Sequence, residues 1–181
     1  MPILPPGPVL EIAHGTGTLS LDMAEKGFAV TAIDLSPEMG KIAAGKKRKW
    51  LARKRPDEST AAPALVRADV LRLPLPGGYF ASAVATFPAD FLFQEEAFRE
   101  VYRALRPGGL WIILPAAYPE WIAKRILRGE KSDFSGAVWR AISKPLEECG
   151  FRVRMEVVRR PRSRVVLFLA EKAAETSRQN N

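Results

Sequence analysis

Short apolar runs alternate with amphipathic stretches through most of the chain, the pattern of repeated strand–helix units around a mostly parallel sheet. Val9 to Ala13 reads as the first strand. Leu19 to Lys26 reads as a helix with Leu19, Met23 and Ala24 on one side, and Gly27 stops it. Ala29 to Ile33 is the second strand. Ser36 then serves as N-cap and Pro37 as first residue of a helix that runs to about Arg55. Pro56 to Pro63 is a polar loop and Ala64 to Arg67 the third strand. After the turn-rich stretch Leu73 to Gly78 comes a fourth strand, Ala81 to Phe87. A helix over Glu95 to Leu105 follows, closed by Arg106, Pro107, Gly108 and Gly109, and Leu110 to Leu114 is the fifth strand.

The pattern then changes. Tyr118 to Arg128 places Trp121, Ile122, Ile126 and Leu127 among charged residues and predicts a helix. A polar link covers Gly129 to Gly136, and Ala137 to Cys149 is a helix ended by Gly150. Phe151 to Val158 and Arg164 to Glu171 are strands joined by the Arg159 to Ser163 turn. So short a connection allows only an antiparallel hairpin. The expected organisation is one domain over residues 9–172, an N-terminal extension over 1–8, and a flexible tail over 173–181.

Composition narrows the classes. The chain has 181 residues, 47% of them hydrophobic, enough for one core. No apolar run approaches the roughly 20 residues of a membrane-spanning helix. Met1 to Pro8 has neither the basic start nor the apolar centre of a signal peptide. Cys149 is the only cysteine, which excludes an intrachain disulfide, and these features together favour the cytoplasm. One histidine and one cysteine, far apart, make no metal ligand set.

The formal net charge is +8. It is concentrated in two clusters. One runs from Lys41 to Arg55; the other holds Arg152, Arg154, Arg159, Arg160, Arg162 and Arg164. Such a balance admits nucleic acid, anionic lipid or acidic substrates as partners. The first cluster has only Trp50 as an interleaved aromatic, so solvated faces are the favoured reading and nucleic acid is not favoured. A homodimer is left open.

Chemistry gathers at the ends of the first strands. Glu11, Ile12, Ala13, His14, Gly15, Thr16 and Gly17 lead into a helix. Two close glycines let the backbone turn tightly and approach a ligand, and the helix start offers free N–H groups. The second strand ends at Asp34, where a carboxylate can accept both hydroxyls of a ribose. In an open parallel sheet these loops meet beyond the strand ends, where ligands bind. Gly15, Gly17 and Ser20 nearly complete the G-x-G-x-x-G fingerprint of dinucleotide binders, so a nicotinamide cofactor is one alternative.

The sequence over roughly residues 8–172 resembles the class I S-adenosylmethionine-dependent methyltransferase family. Val9 to Gly17 is similar to its first motif, and Ala32 to Met39 to its ribose-binding motif. Arg67 to Val70 with Leu73 to Pro76 resembles the adenine-side loop, and Leu105 to Gly109 the turn before the fifth strand. The final hairpin resembles its reversed seventh strand. The resemblance implies a Rossmann-like three-layer α/β sandwich, with a mostly parallel seven-stranded sheet ending in an antiparallel C-terminal hairpin. It implies methyl transfer from S-adenosyl-L-methionine to a small-molecule or lipid-like acceptor.

The same resemblance implies residue roles. Gly15 and Gly17 would pass under the cofactor's methionine portion, with Ala13 and His14 in the same loop. Glu11 would position the loop and meet the cofactor's ammonium end. Asp34 would hold the ribose hydroxyls, with Leu35 beside the adenine and Met39 closing the motif. Asp69 would accept from the adenine amino group while Val70 packs on the ring. Thr86 and Phe87 would complete the cofactor set, and the loop they begin would face the methyl group.

Asp90 in that loop is the candidate for a polar or basic role, with no catalytic residue otherwise assigned. Trp121, Phe91, Phe93 and Tyr118 are candidates to line an acceptor pocket. Three features depart from the family pattern: Ala13 replaces a usual glycine, Phe80-Ala81 a usual Phe-Asp, and few residues precede the first strand. Ala13 and the short stretch before the first strand motivate a second hypothesis, a cofactor-binding domain without turnover. The charge motivates a third, an RNA or DNA methyltransferase.

Overall fold

The computed structural model describes residues 4–53, 60–87, 94–119, 139–161 and 163–174. Its strands are β1 (Val9–Ile12), β2 (Val30–Asp34), β3 (Ala64–Arg67), β4 (Phe80–Thr86), β5 (Leu105–Pro119), β6 (Phe151–Arg160) and β7 (Ser163–Lys172). Its helices are α1 (Thr18–Glu25), α2 (Pro37–Leu51), α3 (Glu95–Ala104) and α4 (Trp139–Glu148), with a 3-10 turn at Val70–Arg72. The strands form one sheet in the order β3-β2-β1-β4-β5-β7-β6. β1 to β5 pair in parallel, whereas β7 is antiparallel to both β5 and β6. This is the mostly parallel sheet with an antiparallel C-terminal hairpin that the pattern predicts, in the Rossmann-like form that the resemblance implies.

Side chains alternate across the sheet and so feed two cores. Leu10, Ile12, Trp111, Ile113, Val166 and Phe168 join α3 residues Phe98 and Val101 and α4 residues Ile142 and Leu146 on one face. Val9, Val30, Ala32, Ile112, Leu167 and Leu169 join Met23 of α1 on the other. α2 packs against α1, β2 and β3. Leu4, expected in an extension, is buried in the second core, and Arg106 donates to the Pro6 carbonyl at 3.0 Å. Residues 4–8 are therefore docked on the domain.

β5 differs most from expectation. It runs through the predicted turn at 106–109. Leu105 pairs with Phe80 and Leu110 with Ser82, so 106–109 bulge opposite Ala81 alone. Gly108 takes a positive φ of 71° there. A Cβ on Gly109 would lie 2.7 Å from the Arg106 carbonyl oxygen.

β5 also continues past Pro115 to Pro119, so Tyr118 and Pro119 are strand rather than the start of a helix. The rest of that predicted helix, and the first residues of the one expected from Ala137, lie outside the described residues. The hairpin turn is tighter than expected, because Arg160 pairs with Ser163. Of the predicted tail, only residues 173 and 174 are described.

The long β5 leaves the sheet uneven. β4 ends at Thr86 opposite Leu114, and β1 ends at Ile12 opposite Ala85. From Leu114 β5 continues to Pro119, opposite Ser163. At ~3.3 Å per residue, the β5–β7–β6 ribbon overshoots the neighbouring strand ends by roughly 15 Å.

Candidate functional site

The loop from β1 into α1 is built on left-handed backbone. Ala13, Gly15 and Gly17 have φ of 55°, 54° and 74°. For Ala13 this costs about 1 kcal/mol, because an L side chain crowds its own carbonyl in that conformation. The loop is tied to β2 and to itself. The His14 N–H donates to the Ile33 carbonyl at 3.0 Å, and the Gly17 N–H to the His14 carbonyl at 2.9 Å. A Cβ on Gly17 would lie 2.8 Å from Cβ of Ala43, so glycine lets α1 and α2 close together. A Cβ on Gly15 would meet nothing within 4 Å.

Asp34 closes β2 and joins three segments. Its Oδ2 accepts the Gly15 N–H at 2.8 Å and its Oδ1 accepts the Ser36 N–H at 2.8 Å. Ser36 in turn caps α2, accepting the Met39 N–H at 3.2 Å. Arg67 donates to the Leu35 carbonyl at 3.2 Å, which fixes the β2 and β3 ends side by side. Asp69 caps the 3-10 turn by accepting the Leu71 N–H at 2.9 Å.

These loops form an open crevice of about 240 Å³ at the carboxyl ends of β1, β2 and β3. Ala13, Asp34, Leu35, Asp69 and Val70 line it, with Ile12, Ile33, Ala68 and Leu71 adding apolar wall. Leu35 is 58% exposed, an apolar side chain presented at the crevice. Gln94, just before α3, also lines it. A lone glutamine before a helix carries no motif, so the sequence did not single it out.

Other expected residues lie elsewhere. Glu11 is not among the lining residues. It is buried at 2% exposure on the α1 face of β1, where the Ser20 hydroxyl donates to its carboxylate. Burial raises its pKa to about 7; the Ser20 bond opposes the rise, and Asp22 and Asp34 add to it. His14 is also buried, with Nδ1 2.8 Å from the Gly15 carbonyl oxygen. A carbonyl only accepts, so Nδ1 carries the proton. His14 lines a second cavity with Pro37, Gly40 and Lys41, which shares Asp34 with the crevice.

Met39 sits in the first turn of α2, Gly17 before α1, and Thr86 at the end of β4; none lines the crevice. Phe87 has φ 49° and is 64% exposed, with its N–H donating to the Leu114 carbonyl at 2.7 Å. Asp90, Phe91, Phe93 and Trp121, and the side chain of Tyr118, lie outside the described residues.

A family model described as a methyltransferase domain matches residues 9–109, more than half of the chain. The chain belongs to this family. For a methyltransferase domain the dinucleotide reading of Gly15, Gly17 and Ser20 loses its ground, and Ser20 is engaged with Glu11.

Among curated relatives, demethylmenaquinone methyltransferase of Beutenbergia cavernae is 34% identical over 122 residues, covering 67% of this chain and 45% of that protein. The chain thus spans about half the length of that relative. Among solved structures, a SAM-dependent methyltransferase of Methanosarcina mazei aligns with TM-score 0.64 and 19% identity over 92% of each chain. Phosphoethanolamine N-methyltransferase 2 of Haemonchus contortus, in complex with S-adenosyl-L-methionine, aligns with TM-score 0.66 and 15% identity, over 95% of this chain and 50% of that one. At these identities the structural likeness speaks for the fold.

Proposed function

We propose that this methyltransferase domain binds S-adenosyl-L-methionine in the crevice and passes its methyl group to a small, lipid-like acceptor of quinone type. The observation that carries the reading is the crevice itself, with two carboxylates, Asp34 and Asp69, and one amide, Gln94, set in a wall that is otherwise apolar. That pattern suits an adenosyl group, whose polar ribose and amino group flank a flat apolar ring. Asp34 spends one bond per oxygen on the loops, and a carboxylate has about four acceptor sites. Two sites therefore remain for ribose hydroxyls. Asp69 uses only Oδ1 locally and keeps Oδ2 for an amino donor. The fit is thus good on acceptor chemistry.

The bound cofactor supplies a methyl group already activated on a sulfonium. The chain's task is then to bind, align and exclude water. Gly15 and Gly17 allow the loop to pass close beneath the methionine portion. Glu11 acts through Ser20, holding α1 against β1 under that loop. Leu35 and Val70 clasp the ring. Asp90 is the proposed polar group toward the acceptor. The functional unit on this reading is residues 9–172, with 1–8 and 173–181 outside the chemistry.

The quinone-type acceptor is motivated by the demethylmenaquinone relative and by the apolar sequence from Pro115 to Arg128. No helix among the described residues is long and apolar enough to cross a membrane, and the lone cysteine suits a reducing, cytoplasmic setting. The test is turnover: the chain is incubated with labelled cofactor and a demethylated quinone in detergent. Label in the quinone supports the reading. Tight binding of S-adenosylhomocysteine with no transfer to any acceptor pool overturns it and leaves a cofactor-binding domain without turnover.

A further inference from the structure

We propose that Gln94 selects the base of the bound cofactor, its side-chain amide pairing with the adenine amino group and the ring nitrogen beside it; this role rests on the cofactor reading above. Gln94 lines the crevice together with Asp69, Val70 and Leu71.

The wall of the crevice is one-sided in its chemistry. Among the described residues its polar side chains are Asp34, Asp69 and Gln94, and the others are apolar. A carboxylate only accepts hydrogen bonds, so Gln94 is the lining side chain that can donate. An adenine ring calls for both kinds of partner. Its amino group carries two hydrogens, one on the N1 side and one on the N7 side, and each of those ring nitrogens accepts. Asp69 keeps Oδ2 for one amino hydrogen. The second hydrogen and the nitrogen next to it form a donor–acceptor pair. A glutamine amide matches that pair with its carbonyl and its NH2 group.

Folding makes no use of this amide. Gln94 occupies the N-cap position of α3, yet its side chain makes no cap bond. The capping is done by its main chain, whose carbonyl accepts the Ala97 N–H at 3.1 Å. A serine, threonine, aspartate or asparagine would serve the helix better, because its shorter side chain reaches the first free N–H groups. Among the described residues the Gln94 side chain has no hydrogen-bond partner. A half-buried amide at the crevice is therefore left for a ligand.

The experiment is calorimetric titration of the full chain and its Gln94→Leu and Gln94→Glu variants. The ligands are S-adenosylhomocysteine, its 1-deaza and 7-deaza analogues, and 5′-methylthioadenosine. Each deaza analogue has a C–H in place of one ring nitrogen, and methylthioadenosine lacks the amino-acid portion. Gln94→Leu should bind S-adenosylhomocysteine at least about tenfold more weakly than wild type. It should lose the same factor toward methylthioadenosine, because the lost bonds lie on the base. For one deaza analogue the gap between wild type and Gln94→Leu should shrink severalfold, which identifies the edge that is read. Gln94→Glu turns only acceptors toward that edge, so it should favour the same analogue over S-adenosylhomocysteine. Unchanged far-UV circular dichroism and melting temperature establish that both variants are folded.

Wild-type affinity of Gln94→Leu for S-adenosylhomocysteine overturns the proposal. So does a loss that is absent with methylthioadenosine, which would place the amide at the amino-acid end. An equal loss toward S-adenosylhomocysteine and both deaza analogues also overturns it, being the mark of a merely structural effect. The cofactor reading fails separately: a folded wild type that binds none of these ligands removes it. Wild-type binding with an unaltered Gln94→Leu removes only the role of Gln94.

Discussion

The Asp34 carboxylate accepts the Gly15 N–H at 2.8 Å, so the residue proposed to hold the ribose also holds the glycine loop. Its other oxygen accepts the Ser36 N–H at 2.8 Å. Replacing it with asparagine leaves one of these donors facing an NH2 group. Asp34→Asn is therefore expected to lower stability by about 1–3 kcal/mol, measured by urea denaturation, as well as to weaken cofactor binding. A variant as stable as wild type would show that these bonds do not organise the loop.

Ala13 lies in left-handed backbone at φ 55°. Ala13→Gly removes the side-chain clash but makes the unfolded chain more flexible. The strain is the larger effect, so the variant should gain roughly 0.5–1 kcal/mol. Ala13→Val should lose stability, because a branched Cβ tolerates this conformation worst. Denaturation midpoints of the two variants check the sign; a destabilised Ala13→Gly would refute the strain.

The two loop glycines should fail differently. Gly17→Ala meets Cβ of Ala43 at 2.8 Å in addition to its φ of 74°. Gly15→Ala meets no neighbour and suffers only its φ of 54°. Gly17→Ala is expected to lose about 2 kcal/mol or more and Gly15→Ala about 1 kcal/mol. Calorimetry with S-adenosylhomocysteine should rank them the other way once each is folded, with Gly15→Ala binding more weakly.

Glu11 makes stability depend on pH. Its folded pKa is about 7 against an ordinary 4.5, with burial the main cause. Below the ordinary value both folded and unfolded states are protonated and nothing is lost. As pH rises between the two values the unfolded chain releases the proton first, so stability falls, and it levels off above the folded value. The total is roughly 3 to 4 kcal/mol for a shift of this size. Glu11→Gln keeps an acceptor for Ser20 and removes the titration. It should gain on wild type steadily from pH 5 to about 8. Parallel stability profiles for the two proteins would contradict the shift.

The crevice was legible before the fold because its parts are local. A strand, a glycine turn and a strand-end aspartate each leave a short-range signature, and parallel pairing brings Ala13, Asp34 and Asp69 together. What was not legible depends on long-range register. Pro115 reads as the end of β5, since proline lacks a ladder donor. The strand tolerates it because it falls at the register shift between Ile113 and Ala116. Likewise 106–109 looks like a plain turn but is a bulge between two paired stretches of β5. Glu11 and His14 lie in a ligand-binding motif by spacing, yet strand alternation turns Glu11 toward α1, and His14 lines another cavity rather than the crevice.

The adenosyl crevice is tested most directly by titrating wild type, Asp34→Ala and Asp69→Ala with S-adenosylhomocysteine in a calorimeter. Wild type should bind, and each variant, still folded, should bind about tenfold more weakly or worse, since each loses a charge-assisted hydrogen bond. A folded wild type that releases no heat, or two variants with unaltered affinity, would contradict the account.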